Sequence, residues 1–154
     1  MTRKISKNIF KGKKVVIVGI GNVLRGDDGV GPVLIEELRE HLSVVCLNVG
    51  TTPENYAGKI VKENPGIVLI IDALHLGKKP GEYEILKKGD VLNWGFTTHD
   101  ISPSRFIEYL EENTKADILV LGIQPGNLRF GEGLSEPVKQ TITQIKSWLI
   151  ECLS

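Results

Sequence analysis

Two adjacent carboxylates, Asp27 and Asp28, close a glycine-rich turn that follows an apolar run. The stretch reads Val15-Val-Ile-Val-Gly-Ile-Gly-Asn-Val-Leu-Arg-Gly-Asp-Asp-Gly-Val-Gly31. Glycines let such a turn adopt positive φ and approach other backbone closely. Both acids are then held near a strand end, where open α/β sheets place their ligands. A cation or an electrophile suits that arrangement, whereas a phosphate would be repelled by the neighbouring anions. A further acid, Asp72, directly follows the apolar run at 67–71, and His99 lies in Gly95-Phe-Thr-Thr-His-Asp100. Two carboxylates (Asp28 and Asp72) and one imidazole (His99) form a mixed oxygen and nitrogen donor set that suits a divalent first-row metal such as nickel, zinc or iron.

Each of these residues also has a purely structural reading. Asp28 would cap a helix starting near Pro32, and Asp27 would be a solvated turn residue. Asp72 would accept N–H groups of its own turn, and His99 would bond to Thr97 or Asp100. Singly those readings are favoured; convergence at one sheet edge favours a site. His75, between Leu74 and Leu76, reads as facing water, and His41 as ending a helix whose dipole it suits. A dinucleotide fingerprint fails at two checks. Leu24 stands where the third glycine belongs, and the second strand ends in Asn48 where an acid would hold the ribose.

The elements that must position these residues are legible as apolar runs. Residues 15–18, 67–71 and 118–121 are apolar without polar alternation, the pattern of strands buried on both faces of a parallel sheet. Residues 44–49 read as a fourth strand, and 83–86 as a shorter antiparallel edge strand. Pro32, Pro53, Pro103 and Pro137 mark first helical turns, with Thr52 and Ser102 as expected N-caps. Apolar positions then recur at helical spacing in each segment. The expected fold class is α/β: a three-layer α/β/α domain whose mostly parallel, twisted, five-stranded sheet has one antiparallel edge strand and helices on both faces.

Composition limits the partners. Lysine plus arginine equals aspartate plus glutamate at 19 each, so no basic excess points to nucleic acid or anionic lipid. No apolar run approaches the roughly 20 residues that span a bilayer, so no membrane insertion is expected. Cys46 and Cys152 match no metal or redox spacing, which suits a reducing, cytoplasmic setting; a disulfide between them stays open. Residues 1–13 read as a frayed basic lead-in and 14–154 as one domain, expected to be monomeric.

Over residues 14 to 150 the chain resembles the hydrogenase maturation endopeptidases, which trim the C-terminal extension of [NiFe]-hydrogenase large subunits. The blocks that carry the resemblance are Gly19-Ile-Gly-Asn-Val-Leu-Arg-Gly-Asp-Asp-Gly-Val-Gly31, Asp72-Ala-Leu-His-Leu-Gly77 with Pro80-Gly81, and Thr98-His-Asp-Ile-Ser102. Gly122-Ile-Gln-Pro125 and Glu136-Pro-Val138 resemble the branch that serves energy-converting, formate-hydrogenlyase-type hydrogenases. The resemblance implies a peptidase, classed in some members as aspartyl, with Asp28, Asp72 and His99 contacting a nickel ion that the precursor presents. Asp27 is expected to help position water, since a neighbouring carboxylate raises an acid's pKa. One departure is Asn48-Val-Gly-Thr51, where related chains often carry Asp-Gly-Gly-Thr; Glu54 is near enough in sequence to substitute. Two other readings compete: a metal-sensing chaperone of the large subunit that does not cleave, and a small Rossmann-like nucleotide-binding domain.

Overall fold

The unbroken apolar runs become strands covered on both faces. The computed structural model describes residues 7–87, 95–96 and 103–154. In chain order its strands are β1 (Val15–Ile20), β2 (Val45–Gly50), β3 (Ile67–His75), β4 (Tyr83–Lys87), β5 (Gly95–Phe96) and β6 (Asp117–Ile123). The α-helices among these residues are α1 (Val30–Arg39), α2 (Ala57–Lys62), α3 (Pro103–Asn113) and α4 (Glu136–Leu153). The main sheet runs β2-β1-β3-β6-β4. Its pairings are parallel except for β4, which runs antiparallel to β6. That is the expected five-stranded sheet, extended only by β5, which pairs two residues with the end of β3.

Alternate residues of each strand serve different layers, because successive side chains point to opposite faces. Val15 and Ile17 pack with Leu34, Ile35 and Leu38 of α1 and with Ile142 and Leu149 of α4. Val16, Val18 and Ile20 pack instead with Ile60 of α2 and with Phe106, Ile107 and Leu110 of α3. Each such side chain, fully buried, contributes about 1.5–3 kcal/mol of transfer free energy.

Helix α1 lies unusually close to the sheet. A Cβ on Gly31 would stand 2.5 Å from the Ile71 carbonyl oxygen and 2.6 Å from that of Ile20. Only glycine permits this approach, which brings the start of α1 down onto the strand ends beside the candidate site.

The helix starts follow the prolines. Pro103 opens α3, Pro137 is the second residue of α4, and Pro53 opens a short 3-10 turn that runs into α2. The expected cap at Thr52 is not realised: its side chain makes no capping hydrogen bond. Ser102 lies outside the described residues. The lead-in also differs from expectation in its second half. Residues Lys7–Phe10 form a 3-10 turn, and Phe10 is buried with its ring centroid 5.7 Å from that of Trp148. The aromatic contact outweighs the charge that made the segment look solvated. Lys13 and Lys14 then pair with Asp117 at 2.8 Å and Glu63 at 3.1 Å.

Candidate functional site

The site forms where β1 and β3 part. They stay in register from Val15 opposite Ile67 to Gly19 opposite Ile71. Asp72 is the next residue of β3, with Gly122 of β6 on its other side. Beyond this point Ile20 pairs toward β2 and the chain enters the glycine-rich turn. The connection from β1 leads toward β2 on one side, and β3 leads toward β6 on the other. That divergence is the topological switch point at which open α/β sheets hold ligands.

Asp28 reaches the same place from the turn. It lies in the 3-10 segment Gly26–Gly29, which leads directly into α1. Its Oδ2 accepts the Asn22 amide at 3.0 Å, while its own amide donates to the Arg25 carbonyl at 3.0 Å. Asp28 and Asp72 are both fully buried. Asp72 Oδ1 accepts the Ala73 amide at 2.8 Å. Its Oδ2 is buried and has no hydrogen-bond partner among the described residues.

Burial, and after it the negative charge of Asp28, push the Asp72 carboxyl well above the ordinary carboxylate range; the Ala73 N–H pulls the other way. A buried acceptor without a donor costs free energy. A cation would satisfy the orphaned oxygen and relieve the repulsion between the two acids. The pair therefore fits the oxygen side of a metal donor set. No group of three or more metal-ligating side chains occurs among the described residues. The expected nitrogen donor, His99, lies outside them.

Asp27 is placed differently from the water-positioning role expected of it. Its Oδ2 accepts the amides of Gly126 at 2.7 Å and Asn127 at 2.9 Å and the Ser135 hydroxyl at 2.7 Å. Its Oδ1 accepts the Ser135 amide at 2.7 Å. Four protein donors occupy this carboxylate, and each comes from the loop between β6 and α4. Sequence reasoning missed Gly126, Asn127 and Ser135. The only signal for them was that their loop is bracketed by the Gly122–Pro125 and Glu136–Val138 blocks.

The remaining polar candidates fall away from the acid pair or onto its margin. His75 is exposed at the end of β3, as expected, and His41 is exposed just after α1. Asn48 is engaged locally: its Oδ1 accepts the Gly50 amide at 3.1 Å and its Nδ2 lies 3.4 Å from Glu36. Glu54 is exposed on the turn after β2. A depression of about 470 Å³ lined by Ile9, Ile67, Ile118 and Leu119 lies at the opposite ends of the strands, away from the buried acids.

Sheet order and acid pair together define a three-layer α/β domain with two buried carboxylates at its switch point. Comparisons make the class specific. The family model described as HycI, hydrogenase maturation protease, matches residues 32–151. The hydrogenase 3 maturation protease of Escherichia coli K12 is 32% identical over 133 residues, covering 84% of this chain and 85% of that protein. The crystal structure of the [NiFe] hydrogenase maturation protease HycI from Thermococcus kodakarensis superposes with a TM-score of 0.87 at 36% identity, over 96% of this chain and 97% of that one. The solution structure of an endopeptidase HycI from Escherichia coli gives 0.78 at 31% identity, over 87% of each chain. The chain belongs to the hydrogenase maturation protease family and is a peptidase.

Proposed function

We propose that this peptidase removes the C-terminal extension of a [NiFe]-hydrogenase large-subunit precursor, and does so only after nickel has been loaded into that precursor. The observation that carries the reading is the Oδ2 of Asp72, buried beside the charge of Asp28 at the switch point and without a hydrogen-bond partner among the described residues. In this reading the ion belongs to the substrate. Asp28 and Asp72 offer oxygen ligands, and His99 completes the set. Two carboxylates and an imidazole bind nickel more weakly than the thiolates of a substrate would, so the enzyme inspects the ion without extracting it.

Selectivity then follows from a difference in affinity between two states of one substrate. A loaded precursor satisfies the acid pair; an empty one leaves two buried acids facing each other. The ion supplies Lewis acidity at the scissile carbonyl. Asp28, Asp72 and His99 would hold it there, and a water molecule would supply the oxygen and protons that hydrolysis adds across the cleaved amide bond. We place this reaction in the cytoplasm, a reading supported by a cysteine pair, Cys46 and Cys152, that matches no metal or redox spacing.

Incubating the chain with a candidate precursor, prepared with and without nickel, tests the reading by mass spectrometry. Loss of the extension from the loaded form alone is expected. Equal cleavage of both forms would end the sensing role. Unchanged mass in both, with the precursor still bound, would favour the chaperone that docks without cutting.

A further inference from the structure

Asp27 is fully buried, carries four hydrogen bonds and stands next to Asp28, yet it takes no part in the acid pair. All four donors lie in residues 126–135. The same loop is fastened to the glycine-rich turn by further backbone contacts. The Asp27 amide donates to the Asn127 carbonyl at 2.6 Å, the Gly131 amide to the Leu24 carbonyl at 2.8 Å, and Arg25 bridges to Phe130 as in an antiparallel ladder. Gly26, at φ +52°, completes the fit, because a Cβ there would collide with the Asn127 carbonyl.

This framework holds apolar side chains out in water. Among the described residues the exposed large hydrophobics are Val23, Leu24, Tyr109 and Phe130, and Phe130 is 72% exposed. Three of the four belong to the two fastened loops. Val23 also follows Asn22, whose amide binds Asp28, so these loops are continuous with the wall of the acid pair. Exposed apolar groups gathered at one place mark interaction sites more often than chance. Backbone hydrogen bonds and a buried carboxylate fix their position before any partner arrives, and such preorganisation lowers the entropy cost of binding.

We infer that Asp27 is a positioning residue for substrate binding: it sets the 126–135 loop so that Phe130, with Val23 and Leu24, forms a rim that grips an apolar segment of the precursor beside the acid pair. The inference rests on the proposed substrate and deepens it. The occupant is a peptide segment with apolar side chains next to the scissile bond. The rim contributes to affinity, while the acid pair carries the chemistry.

Steady-state cleavage and direct precursor binding, measured on the full chain, test this together. Phe130→Ala is expected to raise KM and the precursor Kd by about tenfold, with kcat within about twofold, the scale of a removed aromatic anchor. Asp27→Asn replaces one oxygen by an NH2 group that faces either the Gly126 and Asn127 amides or the Ser135 amide, and it is expected to raise KM at least as much. Because Asp27 acts through the rim, the double variant should be no worse than Asp27→Asn alone. A KM and Kd for Phe130→Ala within about twofold of the parent, or effects of the two changes that multiply, would overturn the inference. Should Asp27→Asn not fold, Ser135→Ala combined with Phe130→Ala gives the same comparison from the other side of the contact. Wild-type chain that binds precursor through Phe130 but never cleaves it would sink the proposed reaction while leaving the rim intact.

Discussion

The charge of Asp28 acts on the carboxyl of Asp72 across the gap that opens where β1 and β3 separate. Asp28 has the Asn22 amide on Oδ2. Asp72 has the Ala73 amide on Oδ1 and a buried Oδ2 without a hydrogen-bond partner among the described residues. Burial, and after it the charge of Asp28, favours the protonated form of Asp72. The relationship has consequences for stability as well as for activity.

The first is a pH dependence with a definite sign. The folded-state pKa of Asp72 is raised above its unfolded value of about 3.9. Between those two values the folded chain binds more protons than the unfolded one, so stability falls as pH rises. The Asp72 contribution is complete below the unfolded pKa and is lost as pH climbs through the raised folded value. Each pH unit of that window costs about 1.4 kcal/mol. Asp72→Asn is expected to melt at a higher temperature than the parent at neutral pH and to lose this dependence. Thermal melts of both proteins from acid to neutral pH check it.

The same substitution is expected to abolish function. Asp28→Asn, Asp72→Asn and His99→Ala each remove a ligand from the proposed donor set. Processing of a nickel-loaded precursor is expected to drop by more than about 100-fold, since even outer partners of metal ligands are worth about 10–100-fold. Circular dichroism should show that the fold is retained. Full processing by His99→Ala would remove that residue from the set.

Two glycines distinguish close approach from mere flexibility. Gly31→Ala would drive a methyl group against the Ile71 and Ile20 carbonyls and is expected to destabilise by about 1–3 kcal/mol, as overpacking does. Gly58→Ala, in α2 with nothing within 4 Å of its Cβ position, is expected to stabilise by about 0.4–1 kcal/mol through the unfolded state. Urea midpoints read both.

The fold was legible because the information for it is local. Runs such as 67–71 are apolar on both faces, the pattern of a covered parallel strand, and Pro103 and Pro137 mark helix starts by their own geometry. Asp28 and Asp72 were legible as candidates because each follows such a run in the chain. Asp27 was misread for the same reason. Its neighbour and its turn were visible, but the donors that occupy it come from Gly126, Asn127 and Ser135, about a hundred residues away. Phe10 was misread too, because a basic segment gives no sign of Trp148 waiting in α4.

Residue order alone therefore determined which segments pair into a parallel sheet and which acids end its strands, since backbone periodicity and proline chemistry act over a few residues. Only the tertiary structure decided which of two adjacent aspartates acts on Asp72 and which one fastens a distant loop. A carboxylate's role depends on what stands within about 3 Å of its oxygens, and those neighbours are set by packing between segments far apart in the chain.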